Sequence, residues 1–389
     1  MQKKWIAILL TLGMLLSVLT ACGTAAPEEP LAPETTAEPE TTESPEEGES
    51  FYDTLERGYT AYAPDTVVLT IEGEEVTWEL FYYLLSECLL DDYIPYMYAM
   101  PDFRAEVMEG ATFSDAFIDG ALSKCEYFTL GRHYFREGGY ELSEEEQASL
   151  DTLWTDLLSQ VENEEELMEM LRESYLSKDT YMFLAESNME MNSLMEHIYG
   201  RDGGRLTEEK VLSWAEENNY SHAKHILYYI YDDTGTLLPE EDKAVKRAEA
   251  EAALAELQKL TGDQEALLKA FDEKMHAESE DPGLTSYPDG YTFPEGTMHP
   301  PFEAAIQELE DYELSEIVET SSGYHIILRL PLEADLPGTG VSAQGGDNSL
   351  RATAARSLFA ADIAQWINDA EIVWMPGFEN LDLAEVYGQ

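Results

Sequence analysis

Two segments, SHAKHIL from Ser221 and SSGYHIIL from Ser321, put His225 and His325 into short runs rich in β-branched and aromatic residues, which read as strands. A histidine inside a strand needs fixed partners for its ring nitrogens, because a buried donor or acceptor left unpaired costs roughly 1–3 kcal/mol. Five of the seven histidines, His222, His225, His276, His299 and His325, fall in this stretch, which raises the possibility of a metal centre. The spacing argues against one: His222 and His225, three apart on a strand, point to opposite faces. No HExxH or cysteine motif supports it either, so no metal and no cofactor are expected. A serine hydrolase is disfavoured by the lack of a GxSxG elbow. Between the two strands lies SEDPGLTSYPDGYTFPEGTMHPPFEAA, which carries Asp281, Tyr291, Phe293, Met298 and Phe302. Asp281 before Pro282 reads equally well as a turn residue. Met298 and Phe302, at helical spacing, fit a core face as readily as a pocket.

The elements that must position these residues follow from periodicity. His222–Tyr231 is the first strand and Asp232–Leu238 a loop. Pro239 to about Leu260 is a helix with proline near its start, where a missing N–H costs little. Asp263–Ala277 and Pro301–Leu309 are further helices, and Glu316–Glu319 and Tyr324–Leu330 are closing strands. Upstream, TVVLTIEGEEVTW from Thr66 reads as a strand, a turn at Gly73 and a helix start with Thr77 as N-cap. Phe81, Leu84, Leu85 and Cys88 continue at helical spacing. Ser143 and Glu146 form a capping box ahead of a stripe through Leu150, Leu153, Trp154, Leu157, Leu158 and Val161. Another stripe runs through Leu184, Met191, Leu194, Met195 and Ile198. After the Gly-rich stretch Pro337–Asp347, Leu350–Asn368 reads as a helix and Ala370–Trp374 as a strand. A solute-binding protein would instead alternate βαβ patterns.

Composition bounds partners and compartment. With 22 basic against 80 acidic side chains the net charge is −58. That excludes a nucleic-acid binder, which needs a basic surface to displace phosphate counterions. It also disfavours adhesion of the protein surface to anionic lipid. Lys3 and Lys4 precede an apolar run from Trp5 to Leu19, shorter than a membrane span of about 20 residues, so it reads as an export signal. The following LTAC, Leu19–Cys22, resembles a bacterial lipobox, which implies lipidation of Cys22 and cleavage before it. Two acyl chains give stable anchoring where one does not. Residues 24–50 carry nine Glu and five Pro with no Lys or Arg, and should form an acidic, disordered tether. Cys88 and Cys125 sit among apolar residues; buried free thiols are the preferred expectation, and pairing stays open.

Strand, helices, a loop with Met298 and Phe302, and a returning strand with a second histidine together resemble the parvulin family of peptidyl-prolyl isomerases, from Tyr220 to about Leu332. The resemblance implies that His225 and His325 form a paired-histidine network with Thr320, and that this network fixes Asp281 beside the substrate amide. It implies that Met298 and Phe302 cradle the proline with Phe293 completing the wall, and Tyr291 is a further substrate-binding candidate that could fill the pocket. The family's GGDLG run is YPDGY here, so a position often held by a pocket Leu is Gly290. The opening VVLTIEGEEVTWELFYYLL and the domain order are similar to PrsA/SurA-like foldases.

The expected fold is thus α+β, a mostly helical chaperone-like domain plus a parvulin-like domain with an antiparallel sheet and surrounding helices. The expected boundaries are 1–21 signal, 22–50 tether, 51–218 helical domain, 219–333 parvulin-like domain, 334–349 linker, and 350–389 returning to complete the helical domain. The expected protein is a lipid-anchored isomerase on the outer face of a bacterial membrane, acting on exported polypeptides with X-Pro bonds. Its rival is an inactive holdase that binds extended peptide through the same domain.

Overall fold

The computed structural model describes residues 51–93, 100–339 and 347–389. Cys22, the leader, the acidic stretch and part of the Gly-rich linker lie outside the described residues. The described strands, in chain order, are β1 (Val67–Ile71), β2 (Glu74–Thr77), β3 (Glu106–Met108), β4 (Ala111–Thr112), β5 (Tyr220–Tyr229), β6 (Tyr291–Pro294), β7 (Val318–Glu319), β8 (Gly323–Leu330) and β9 (Ile372–Trp374). With the helices between them they make an α+β protein. It divides into two compact units, one running through His197 and resuming at Phe359–Gln389, the other Ile198–Leu358.

In the first unit β1 and β2 form an antiparallel hairpin and β9 pairs antiparallel with β1 on its other edge. The sequence led us to expect one strand running into a helix. The second strand, EEVT, was hidden because only Val76 of it is fully buried. Thr77 does cap the helix Trp78–Glu87, accepting from the Leu80 N–H. That helix is buried on nearly every side, with Trp78, Phe81, Leu84 and Leu85 inaccessible. The capping box forms at Ser143 and Glu146, but that helix stops at Leu158, and only Leu150 and Leu157 of the expected stripe are fully buried. Cys88 and Cys125 are buried and form no disulfide, and burial pushes the Cys125 thiol up.

The second unit is built on a four-stranded antiparallel sheet in the order β6-β5-β8-β7. Two of its strands differ from expectation. β6 was missed because YTFP is short, ends in proline and sits in a Gly/Pro-rich stretch. The first closing strand covers only Val318–Glu319 rather than Glu316–Glu319. Alternation along β5 and β8 gives each face its own cover. Ile226, Tyr228, Ile326 and Leu328 pack with Ala253, Leu257 and Phe271 of the helices Glu240–Leu257 and Gln264–Glu278. Ala223 and Ile327 face the other way, onto Phe293 of β6 and Phe302 and Ile306 of the helix Pro300–Gln307. A separate cluster joins Val211 and Trp214 to Ala334, Leu350 and Ala354.

Candidate active site

β5 and β8 pair with His225 opposite Ile327 and Leu227 opposite His325. The two histidines are therefore diagonal neighbours on one face, the face that Phe302 covers. Their Nδ1 atoms are 3.2 Å apart. His325 Nε2 is 2.8 Å from the Thr320 hydroxyl, at the turn into β8. His225 Nε2 is 3.3 Å from Asp281 Oδ2. Each group is buried or nearly so: His225 is 8 %, His325 4 % and Thr320 7 % exposed.

One proton order satisfies all of these contacts with both rings neutral. An ionised carboxylate only accepts, so His225 Nε2 donates to Asp281. The neutral His225 ring then accepts at Nδ1 from His325 Nδ1–H, and His325 Nε2 accepts from the Thr320 hydroxyl. Thr320 Oγ1 in turn accepts from the Ser322 N–H at 3.1 Å. Every ring nitrogen is satisfied with both imidazoles neutral. Burial, the largest influence on it, holds the His325 pKa down at about 3, in keeping with a neutral ring. Burial would raise Asp281, but hydrogen bonds from His225 and Tyr291 outweigh it and bring the carboxyl to about 2. The Tyr291 hydroxyl donates to Asp281 Oδ2 at 2.6 Å, and the Gly283 N–H donates to Oδ1 at 3.0 Å.

The apolar side is one wall. Phe302, 3 % exposed, stands edge-on to both imidazoles, 5.4 Å from His225 and 5.5 Å from His325 between ring centroids. Phe293 packs behind it at 6.1 Å. Met298 is half-buried against the same cluster, its N–H held by Glu303 at 2.7 Å. His299, exposed at the start of the Pro300–Gln307 helix, reaches Ser322 at 3.1 Å.

The structure thus brings His225, His325, Thr320, Asp281, Met298, Phe302, Phe293 and Tyr291 to one face of one sheet. Tyr291 packs in the same cluster as Phe293 and Phe302, its ring 4.8 Å from Tyr287 and its hydroxyl turned to Asp281. Sequence reasoning missed that pair, and Gly283 with it. The only signal was the proximity of a tyrosine and an aspartate across a proline-glycine turn. Gly290 is explained by geometry: its φ is +107° and a Cβ there would lie 2.7 Å from the Ala223 carbonyl oxygen. His222 stays apart, on the other face of β5, with its ring nitrogens at the Pro331 and Asp289 carbonyls. No group of three or more metal-ligating side chains occurs among the described residues.

Comparison with known proteins addresses the same segment. Residues 225–330 match the family model of the rotamase, PPIC-type PPIase domain. No curated protein matches the chain. Among solved structures, the chain is similar to the peptidylprolyl isomerase PrsA of Bacillus anthracis, at 21 % identity and a TM-score of 0.22, over 61 % of this chain and 93 % of that one. The foldase protein PrsA of Lactococcus lactis shows 11 % identity and a TM-score of 0.29, covering 83 % and 98 %. A SurA-like chaperone of Campylobacter jejuni shows 19 % identity and a TM-score of 0.22, covering 68 % and 94 %. The histidine strands, the apolar wall and the family match coincide on one stretch, and residues 225–330 are a rotamase domain of the PPIC-type peptidyl-prolyl isomerase family.

Proposed function

We propose that this chain is an extracytoplasmic foldase that speeds cis-trans exchange of X-Pro bonds in exported polypeptides, held at the membrane through a lipid on Cys22. The observation that carries the isomerase reading is the continuous run Thr320–His325–His225–Asp281, with Phe302 packed edge-on against both of its imidazoles. The barrier to be lowered is amide resonance, about 18–20 kcal/mol. It requires no nucleophile or metal, only a site that favours the twisted amide over the planar one. The Met298–Phe302 wall is apolar and suits the proline ring. The planar amide owes its stability to a charge-separated form with negative charge on oxygen. A fixed anion beside that oxygen opposes this form and so favours rotation. Asp281, ionised at any physiological pH and held by three donors, is such an anion. The neutral histidines contribute by fixing it rather than by exchanging protons with substrate.

The leader, the LTAC sequence and the acidic stretch support export and anchoring. No helix of the described residues is long and apolar enough to cross a membrane. Protease-coupled exchange of a proline peptide by the soluble form starting at Ser50 tests the isomerase reading. Turnover that is lost in Asp281→Ala, with peptide binding largely kept, supports it. Binding of proline peptides without any acceleration would leave a holdase.

A further inference from the structure

We infer that Tyr291 is a positioning residue of this site, its hydroxyl locking the Asp281 carboxylate in place, and that Gly283 and Gly290 are glycines to seat it. This rests on the isomerase reading for its consequence, not for its geometry. The Tyr291 hydroxyl has one proton, and at 2.6 Å it gives it to Asp281 Oδ2. That proton is thereby withheld from any substrate. His225 takes the same oxygen from the other side, and the Gly283 N–H takes Oδ1. Both carboxylate oxygens are thus pinned from three directions, and the anion need not reorganise as the amide turns.

The two glycines give the arrangement its specificity. A Cβ on Gly283 would lie 2.0 Å from the Tyr291 hydroxyl oxygen. No side chain fits there while the hydroxyl is seated. Gly290 lets the chain approach β5 closely, which sets Tyr291 opposite Ala223 at the head of β6. Tyr287 backs the ring. Titratable groups that act on Asp281 include His225 from β5 and Tyr291 from β6, with His325 of β8 behind His225. The ring of Tyr291 is 9 % exposed, and burial together with Asp281 raises its hydroxyl pKa, so it stays a donor.

The test uses the full chain, with two readouts. A hydroxyl held this tightly should give a slowly exchanging downfield proton resonance that disappears in Tyr291→Phe and shifts in Asp281→Asn. In turnover, Tyr291→Phe should lower kcat about ten-fold while KM stays within about two-fold, because it loosens a group acting on the twisted amide. Gly283→Ala should cost kcat similarly in the wild-type background, yet add little on top of Tyr291→Phe, where the clashing oxygen is gone. The inference is overturned if the resonance is missing from the wild type or indifferent to Asp281→Asn. It is equally overturned if Tyr291→Phe turns over at the wild-type rate, or if the two substitutions add in full. A wild type that turns over nothing would remove the isomerase reading, and the resonance arm would still decide the contact.

Discussion

Replacing His325 by glutamine should flatten the acid sensitivity of the second unit. His325 is 4 % exposed, and above all its burial holds its pKa at about 3 against an ordinary 6.5. Below pH 6.5 the unfolded chain takes up a proton at this ring that the native state refuses. The stability due to the neutral ring is therefore complete above that value and is lost as pH falls from 6.5 towards 3. At about pH 5 the unfolded ring is protonated over neutral by roughly 30 to 1, which removes about 2 kcal/mol relative to neutral pH. Carboxylates and His222 also respond to acid, but they are common to both proteins, so the difference between wild type and His325→Gln isolates this ring. Glutamine cannot titrate. The variant should start less stable, since the contacts to Thr320 and His225 are weakened, and then lose about 2 kcal/mol less between roughly pH 7.5 and pH 5. Native-state amide exchange of the β5 and β8 backbone, corrected for intrinsic rates, measures this in the right unit. Equal losses in the two proteins would mean that the ring is already charged in the native state, and the proton order drawn above would be wrong.

Other outcomes follow from the same contacts. Phe302→Ala removes a ring packed edge-on to both histidines and should destabilise the second unit by about 3–5 kcal/mol, read by urea unfolding, while weakening proline-peptide binding in a titration. Deleting Ile372–Gln389 strips β9 from β1 and Tyr387 from its stack on Phe103, 4.9 Å away. It should lower the melting temperature of the first unit and leave exchange protection of β5 and β8 unchanged. Cys22→Ser should release the protein from membranes or leave it unprocessed, and retention of a correctly cleaved variant in the membrane fraction would refute lipid anchoring there.

Residues on regular, strongly patterned elements were legible in the sequence, and residues whose role comes from a turn were not. His225 and His325 could be placed because KHIL and YHII are unmistakable strand sequences, and the alternation of a strand then dictates which face they share. Thr77 and Ser143 announced helix starts through side-chain chemistry that acts within four residues. β2 and β6 escaped because EEVT is mostly exposed and YTFP too short for period-two alternation to stand out. Tyr291 was the hardest. Its direction depends on the positive φ of Gly290 and the empty space at Gly283, neither of which leaves a periodic trace. Gly290 looked like a missing pocket side chain, whereas the backbone needs it for its approach to Ala223.

The pairing of β1 with β9 has a consequence for how the chain is made. Leu69 waits for Trp374, and the hydroxyl of Tyr82 meets that of Tyr387 across 305 residues. On a chain that emerges amino end first, the hairpin appears early with one edge open, and an open edge is where strands of other molecules add. The whole second unit, which has cores of its own, emerges in the interval. If it folds as it emerges, it shortens the loop that remains to be closed, whose entropic cost grows only slowly with length. The first unit is then the last to finish, and a chain stalled before its final twenty or so residues carries a completed second unit while the sheet of the first is still unsealed.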